Sequence, residues 1–126
     1  MHILFYPNQI NSIGKKIEQI FFAEKESEKL QIINSIEKLT ARLHEPIRNL
    51  QLIVLLPENK DDLLALLLMR EKMMDISLIL ILPNQSKEII AMGHKLFPRF
   101  ISFQDSNLSD VTGVIHRILH NHSGMD

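Results

Sequence analysis

Three histidines near the end of the chain, His116, His120 and His122, are of the type and spacing that could hold a metal ion. Residues four apart on a helix share a face, so His116 and His120 would present two imidazoles together. A helix C-terminus also favours histidine through its dipole, and no carboxylate follows in the sequence to complete a ligand set. The reading is therefore no metal. A second group is carboxamide-rich. Phe5-Tyr6-Pro7-Asn8-Gln9, Leu55-Leu56-Pro57-Glu58-Asn59 and Ile81-Leu82-Pro83-Asn84-Gln85 each end an apolar run with proline and two polar residues. Together with Gln104, the side chains of Asn8, Gln9, Glu58 and Asn84 could bind a small molecule by neutral hydrogen bonds. The same residue types also serve ordinary turns and helix caps.

Much other chemistry is missing. There is no cysteine, hence no disulfide framework, thiolate nucleophile or zinc–sulfur site. No acid pair is spaced for proton transfer, no serine–histidine–acid set can be assembled, and the four glycines form no phosphate-binding loop. Neither catalysis nor a cofactor is expected. Fourteen basic and fifteen acidic residues nearly cancel, so no field draws the chain to nucleic acid or to an anionic membrane. No apolar run approaches the ~20 residues of a membrane span, and the first residues lack a signal peptide's basic region. A cytoplasmic location is expected.

The elements that would position these residues follow from the pattern of apolar side chains. Runs at 2–6, 30–33, 50–56, 77–82 and 99–103 are rich in branched or aromatic residues and read as strands. Those at 50–56 and 77–82 do not alternate with polar residues, as expected of strands covered on both faces. Between them lie helical periods. Ile10, Ile13, Ile17, Ile20 and Phe21 form one stripe ending in the polar stretch 23–27. Asn34 or Ser35 caps a helix whose Ile36, Leu39 and Leu43 face inward, stopped by Pro46. Asn59 or Asp61 opens a helix over 62–75, Ser86 caps 87–96, and Ser109 caps 110–120. The run 30–33 also suits the middle of a helix over 26–43; the strand is preferred because Asn34-Ser35 is a natural helix start.

Strand and helix thus alternate, which predicts one α/β domain over residues 1–120 with a flexible tail at 121–126. The domain should be a five-stranded parallel sheet, doubly wound in the flavodoxin manner with strand order 2-1-3-4-5. All three proline motifs then fall at one edge, where strands 1, 3 and 4 end. Proline terminates the ladder there because it has no N–H to donate.

In length and helix spacing the chain resembles the receiver domain of bacterial response regulators over nearly its whole extent. The best local match is Phe100-Ile101-Ser102-Phe103-Gln104-Asp105-Ser106-Asn107-Leu108-Ser109-Asp110-Val111, similar to a receiver's fifth strand, following loop and capped last helix. The resemblance implies an acidic pair after strand 1, a phosphate-accepting aspartate ending strand 3, a hydroxyl residue ending strand 4 and a lysine ending strand 5. Here the acidic pair falls among Tyr6, Pro7 and Asn8, and the acceptor at Leu56 or Pro57, with Glu58 beyond. The hydroxyl position falls at Leu82 or Pro83, and the lysine at Gln104. A degenerate receiver is implied, without nucleophile, metal ligands or cation for aspartyl phosphorylation. Such a module would signal through a protein partner.

The apolar run Leu63-Leu64-Ala65-Leu66-Leu67-Leu68-Met69, followed by Met73-Met74, exceeds what one buried helix stripe requires. Leu63, Leu66, Leu67 and Met74 are expected on the buried face. Leu64, Leu68, Met69 and Met73 are candidates for a docking face, for instance to a second copy of the chain, and Met69, Met73 and Met74 would suit an adaptable contact. The resemblance implies a rival face, formed by the helix over 87–96, the fifth strand and the last helix.

Overall fold

The computed structural model describes residues 2–7, 12–24, 29–45 and 50–123. Five strands, β1 (His2–Pro7), β2 (Leu30–Ile32), β3 (Leu50–Leu56), β4 (Ser77–Leu82) and β5 (Phe100–Phe103), form one sheet in the order β2-β1-β3-β4-β5. Every neighbouring pair is parallel. Parallel neighbours need long crossovers, and four helices supply them, α1 (Ser12–Ala23), α2 (Ile36–His44), α3 (Lys60–Leu68) and α4 (Lys87–His94), while a fifth, α5 (Ser109–Ser123), follows the last strand.

The side-chain alternation of each strand divides the core into two layers. Leu4 and Tyr6 of β1, Ile53 and Leu55 of β3, and Leu78, Leu80 and Leu82 of β4 pack beneath α2, α3 and α4. Their neighbours Ile3 and Phe5, Leu52, Val54 and Leu56, and Ile79 and Ile81 meet α1 and α5. Each buried aliphatic side chain is worth about 1.5–3 kcal/mol against exposure, so the three central strands hold the domain together. β2 is an edge strand with its residues exposed or half-buried, which explains why its apolar pattern was open to a helical reading.

Helix starts follow the capping residues. Ser35, Asn59 and Ser86 each accept a hydrogen bond from the backbone N–H three residues on, from Lys38, Asp62 and Ile89. Each such cap contributes about 1 kcal/mol. At α5 the expected cap, Ser109, is the first helical residue, and Asn107 Oδ1 accepts from its N–H at 3.1 Å. The helix also runs past its predicted end at His120 to Ser123. Pro46 lies outside the described residues.

α3 departs most from expectation. It ends at Leu68 rather than reaching Asp75, and a 3-10 turn at Arg70–Met73 takes over, with N–H groups of Met69, Lys72 and Ile76 bonding carbonyls three residues back. A 3-10 turn advances about 120° per residue against 100° in an α-helix. Met73, seven residues on from the buried Leu66 and so near its face, is in the core at 2 % exposure, while Met74 is left outside. Buried in this way, Met73 offers no surface to a partner, and Met74 does not join the buried face. α4 approaches the sheet closely at Gly93, where a Cβ would lie 3.0 Å from Leu80 Cδ2 and 3.2 Å from Leu82 Cδ1.

Candidate functional site

The ends of β1, β3, β4 and β5 share one edge, and the polar groups there are spent on one another. Tyr6, the last aromatic of β1, points into the α2–α3–α4 layer, where its phenol requires a partner. Asp62, in the first turn of α3 and 6 % exposed, supplies one: the Tyr6 hydroxyl donates to Asp62 Oδ1 at 2.7 Å. The other carboxylate oxygen, Oδ2, accepts from the Glu58 N–H at 3.0 Å, and the Asp62 N–H donates to Asn59 Oδ1 at 2.9 Å. This reciprocal arrangement resembles a capping box and fixes the turn from β3 into α3.

Gln104, just past β5, reaches the same turn from the other side. Its Nε2 donates to the Pro57 carbonyl at 2.9 Å, while its backbone N–H bonds the Leu82 carbonyl at 2.9 Å. Asn84 Oδ1 accepts from the Ser86 N–H, and Gln85 Nε2 donates to Asp105 Oδ1 at 3.3 Å. Asn84 and Gln104 thus serve turn and loop closure, and Glu58 contributes its N–H to the Asp62 bond. Asn8 and Gln9 lie outside the described residues. The binding edge proposed from the sequence is, for these three residues, a network closed on itself.

The chemistry of the edge follows. Burial, then the hydrogen bond to Asp62 and the negative charge of Asp62, Glu37 and Glu58, push the Tyr6 phenol far above the ordinary tyrosine range. It is a permanent donor and neither a base nor a nucleophile. At the end of β3, where the sequence resemblance would set a phosphoryl acceptor, Leu56 and Pro57 are both buried. A hard divalent cation needs several oxygen ligands, chiefly carboxylates, and the Asp62 carboxylate beside them is engaged through both oxygens.

Two groupings escaped the sequence reading. Asp62 opens the helix expected over 62–75, and nothing in the local pattern pairs it with Tyr6. The second concerns the histidines. The missing carboxylate comes from Glu24, at the end of α1: both its oxygens lie 3.0 Å from His116 Nδ1, and Oε1 lies 2.9 Å from His120 Nε2. Local sequence had excluded a ligand set that the fold assembles.

The residues expected to be outward on α3 differ in exposure. Leu68 is 90 % exposed and Leu64 is exposed, while Met69 is half-buried against the core. Leu64, Leu67, Leu68, Arg70 and Glu71 line a shallow depression.

Parallel order, layer composition and the placement of the five helices define a receiver-like member of the flavodoxin-like fold class. Solved structures agree. A CheY-like response regulator receiver domain from Methanospirillum hungatei is similar over 99 % of this chain and 98 % of its own, with a TM-score of 0.74 and 14 % identity. An orphan response regulator of H. pylori is similar over 94 % and 96 %, with a TM-score of 0.69 and 18 % identity. No family model matches the chain, and no curated protein matches it. The likeness is one of fold.

Tyr6 is the sole tyrosine, and the chain has no tryptophan, so its ionisation can be followed by phenolate absorption. Below about pH 10 the phenol is protonated in folded and unfolded chains alike. Above it the unfolded chain ionises first, and stability falls by about 1.4 kcal/mol per pH unit. Phenolate absorption should therefore appear only together with loss of the circular-dichroism signal; a reversible titration near pH 10 in the folded protein contradicts this environment. Tyr6→Phe strands one oxygen of Asp62 in the core and should cost about 1–3 kcal/mol in urea unfolding, whereas an unchanged midpoint denies the bond its structural role.

Proposed function

We propose that the chain is a cytoplasmic, non-catalytic signalling or regulatory module of receiver-like fold that acts by protein–protein contact independently of phosphorylation. The observation that carries this reading is the hydrogen bond from Gln104 to the Pro57 carbonyl. By the resemblance, it joins the position of a receiver's lysine to Pro57, which with Leu56 occupies the place of the phosphoryl acceptor. An amide cannot neutralise a phosphoryl group, and proline has no side-chain oxygen to receive one. The Tyr6–Asp62 bond supports the same reading, because it engages the carboxylate next to that position.

The contact face favoured by exposure is the outer side of α3. Leu64 and Leu68 form an apolar surface bordered by Arg70 and Glu71. Both signs of charge beside one apolar patch suit a two-fold contact, in which each patch meets its own copy. A second copy of the chain is accordingly the partner proposed for this face.

Beryllofluoride with Mg²⁺ should leave the backbone amide NMR spectrum unchanged; shifts at the ends of β1, β3 and β5 would show that the edge takes a phosphoryl analogue after all. Leu68→Glu should convert a dimer to a monomer in small-angle scattering. A wild-type chain already monomeric at high concentration would remove the second copy as occupant.

A further inference from the structure

Glu24, His116 and His120 bring one carboxylate and two imidazoles together from α1 and α5, on the side of the sheet away from α3. Their ligand atoms lie within 4.8 Å of one another, and among the described residues this is the grouping able to hold a metal ion. The backbone explains the convergence. The Glu24 N–H still bonds the Ile20 carbonyl, so the residue rides on the last turn of α1. His116 and His120 stand on successive turns of α5, their ring centroids 4.1 Å apart and tilted by 35°. The two rings cover the carboxylate: the Glu24 side chain is 14 % exposed, the histidines 56 % and 59 %. Burial would raise the Glu24 carboxyl, but hydrogen bonds and charge from His116 and His120 outweigh it and hold the group below the usual carboxylate range.

We propose that this cluster binds a transition-metal dication of borderline softness, zinc in the first instance, through Glu24, His116 Nδ1 and His120 Nε2. The donor set selects the class of ion. Two imidazoles and one carboxylate suit Zn²⁺, and they are a poor match for Mg²⁺, which prefers oxygen ligands and retains its water. Zinc bonds of about 2.0–2.2 Å in a tetrahedron separate ligand atoms by roughly 3.3–3.5 Å. The 2.9–3.0 Å contacts here need only spread slightly. Three protein ligands leave the fourth position for water or for a donor from a partner.

The proton balance is specific. A neutral imidazole that donates to Glu24 carries its proton on the nitrogen facing the carboxylate. When the metal takes that nitrogen, the proton moves to the other one, Nε2 in His116 and Nδ1 in His120. The bound ion then ties the end of α1 to the exposed face of α5. This inference is independent of the proposed signalling role, since it involves neither the strand-end edge nor the surface of α3.

The test is a calorimetric titration of the full chain with ZnCl₂ in a weakly chelating buffer. One saturating equivalent and a raised melting temperature are expected, with Mg²⁺ in large excess unable to compete. Glu24→Gln, His116→Gln and His120→Gln should each weaken binding about tenfold or more, with unchanged circular dichroism because the histidines are exposed. Long-range ¹H–¹⁵N spectra of the imidazoles should show both tautomers switching on zinc addition. Absence of saturable binding, undiminished affinity in the His116→Gln/His120→Gln double variant, or unmoved His116 and His120 nitrogens would each overturn the assignment.

Discussion

A phenol hydroxyl buried at the end of β1 has to find an acceptor, and the geometry of the whole strand-end edge follows from where it finds one. Leaving the Tyr6 hydroxyl without a partner in the core would cost several kcal/mol on a dry-transfer scale. Asp62 satisfies it, but only if the first turn of α3 lies directly over Tyr6. That placement leaves the second carboxylate oxygen facing the Glu58 N–H, which in turn shapes the connection from β3. Gln104 closes the arrangement from the β5 side through the Pro57 carbonyl. Three strands are thereby tied at one edge by side chains far apart in sequence.

Sequence reasoning reached the fold through features that are local. β3 and β4 match their expected limits because continuous apolar runs have few interpretations when both faces are covered. Ser35, Asn59 and Ser86 mark helix starts because capping depends on residues within one turn. β2 was ambiguous for an equally physical reason: an edge strand of three residues buries little and leaves a weak pattern. The candidate site fared differently. Asn84 and Gln104 do stand just past strand ends, yet a carboxamide's type alone does not separate ligand binding from turn closure. The bonds that decide the matter join Tyr6 to Asp62 and Gln104 to Pro57, pairs that no periodicity relates. Glu24 was invisible as a partner of His116 for the same reason.

The leucine-rich helix shows how a change of backbone pitch trims an apolar surface. In α-helical geometry continued to Asp75, Met74 would lie about 20° from Leu63 and Met73 about 20° from Leu66 around the axis, both of them partners in the core. With the 3-10 turn at Arg70–Met73, Met73 keeps its place in the core and Met74 is left exposed. The outward apolar surface of α3 itself is carried by Leu64 and Leu68 on a regular helix, with Arg70 and Glu71 beside them. Leucines on a fixed scaffold favour one well-defined partner surface over the adaptable contacts that exposed methionines support.

The two candidate surfaces lie on opposite sides of the sheet, and the sheet decides how far they can communicate. Adjacent residues of one strand, such as Phe5 and Tyr6, face opposite layers, so a displacement of α5 reaches α3 only by moving β1 or β3. Both strands are buried on both faces, and at their ends they are joined through Tyr6, Asp62 and Gln104. Close-packed interiors transmit rigid-body shifts but do not absorb them gradually. A tightening of α1 against α5 would therefore reach α3 only as a shift of these tied strands, and the strand-end network sets how stiffly the two layers are joined.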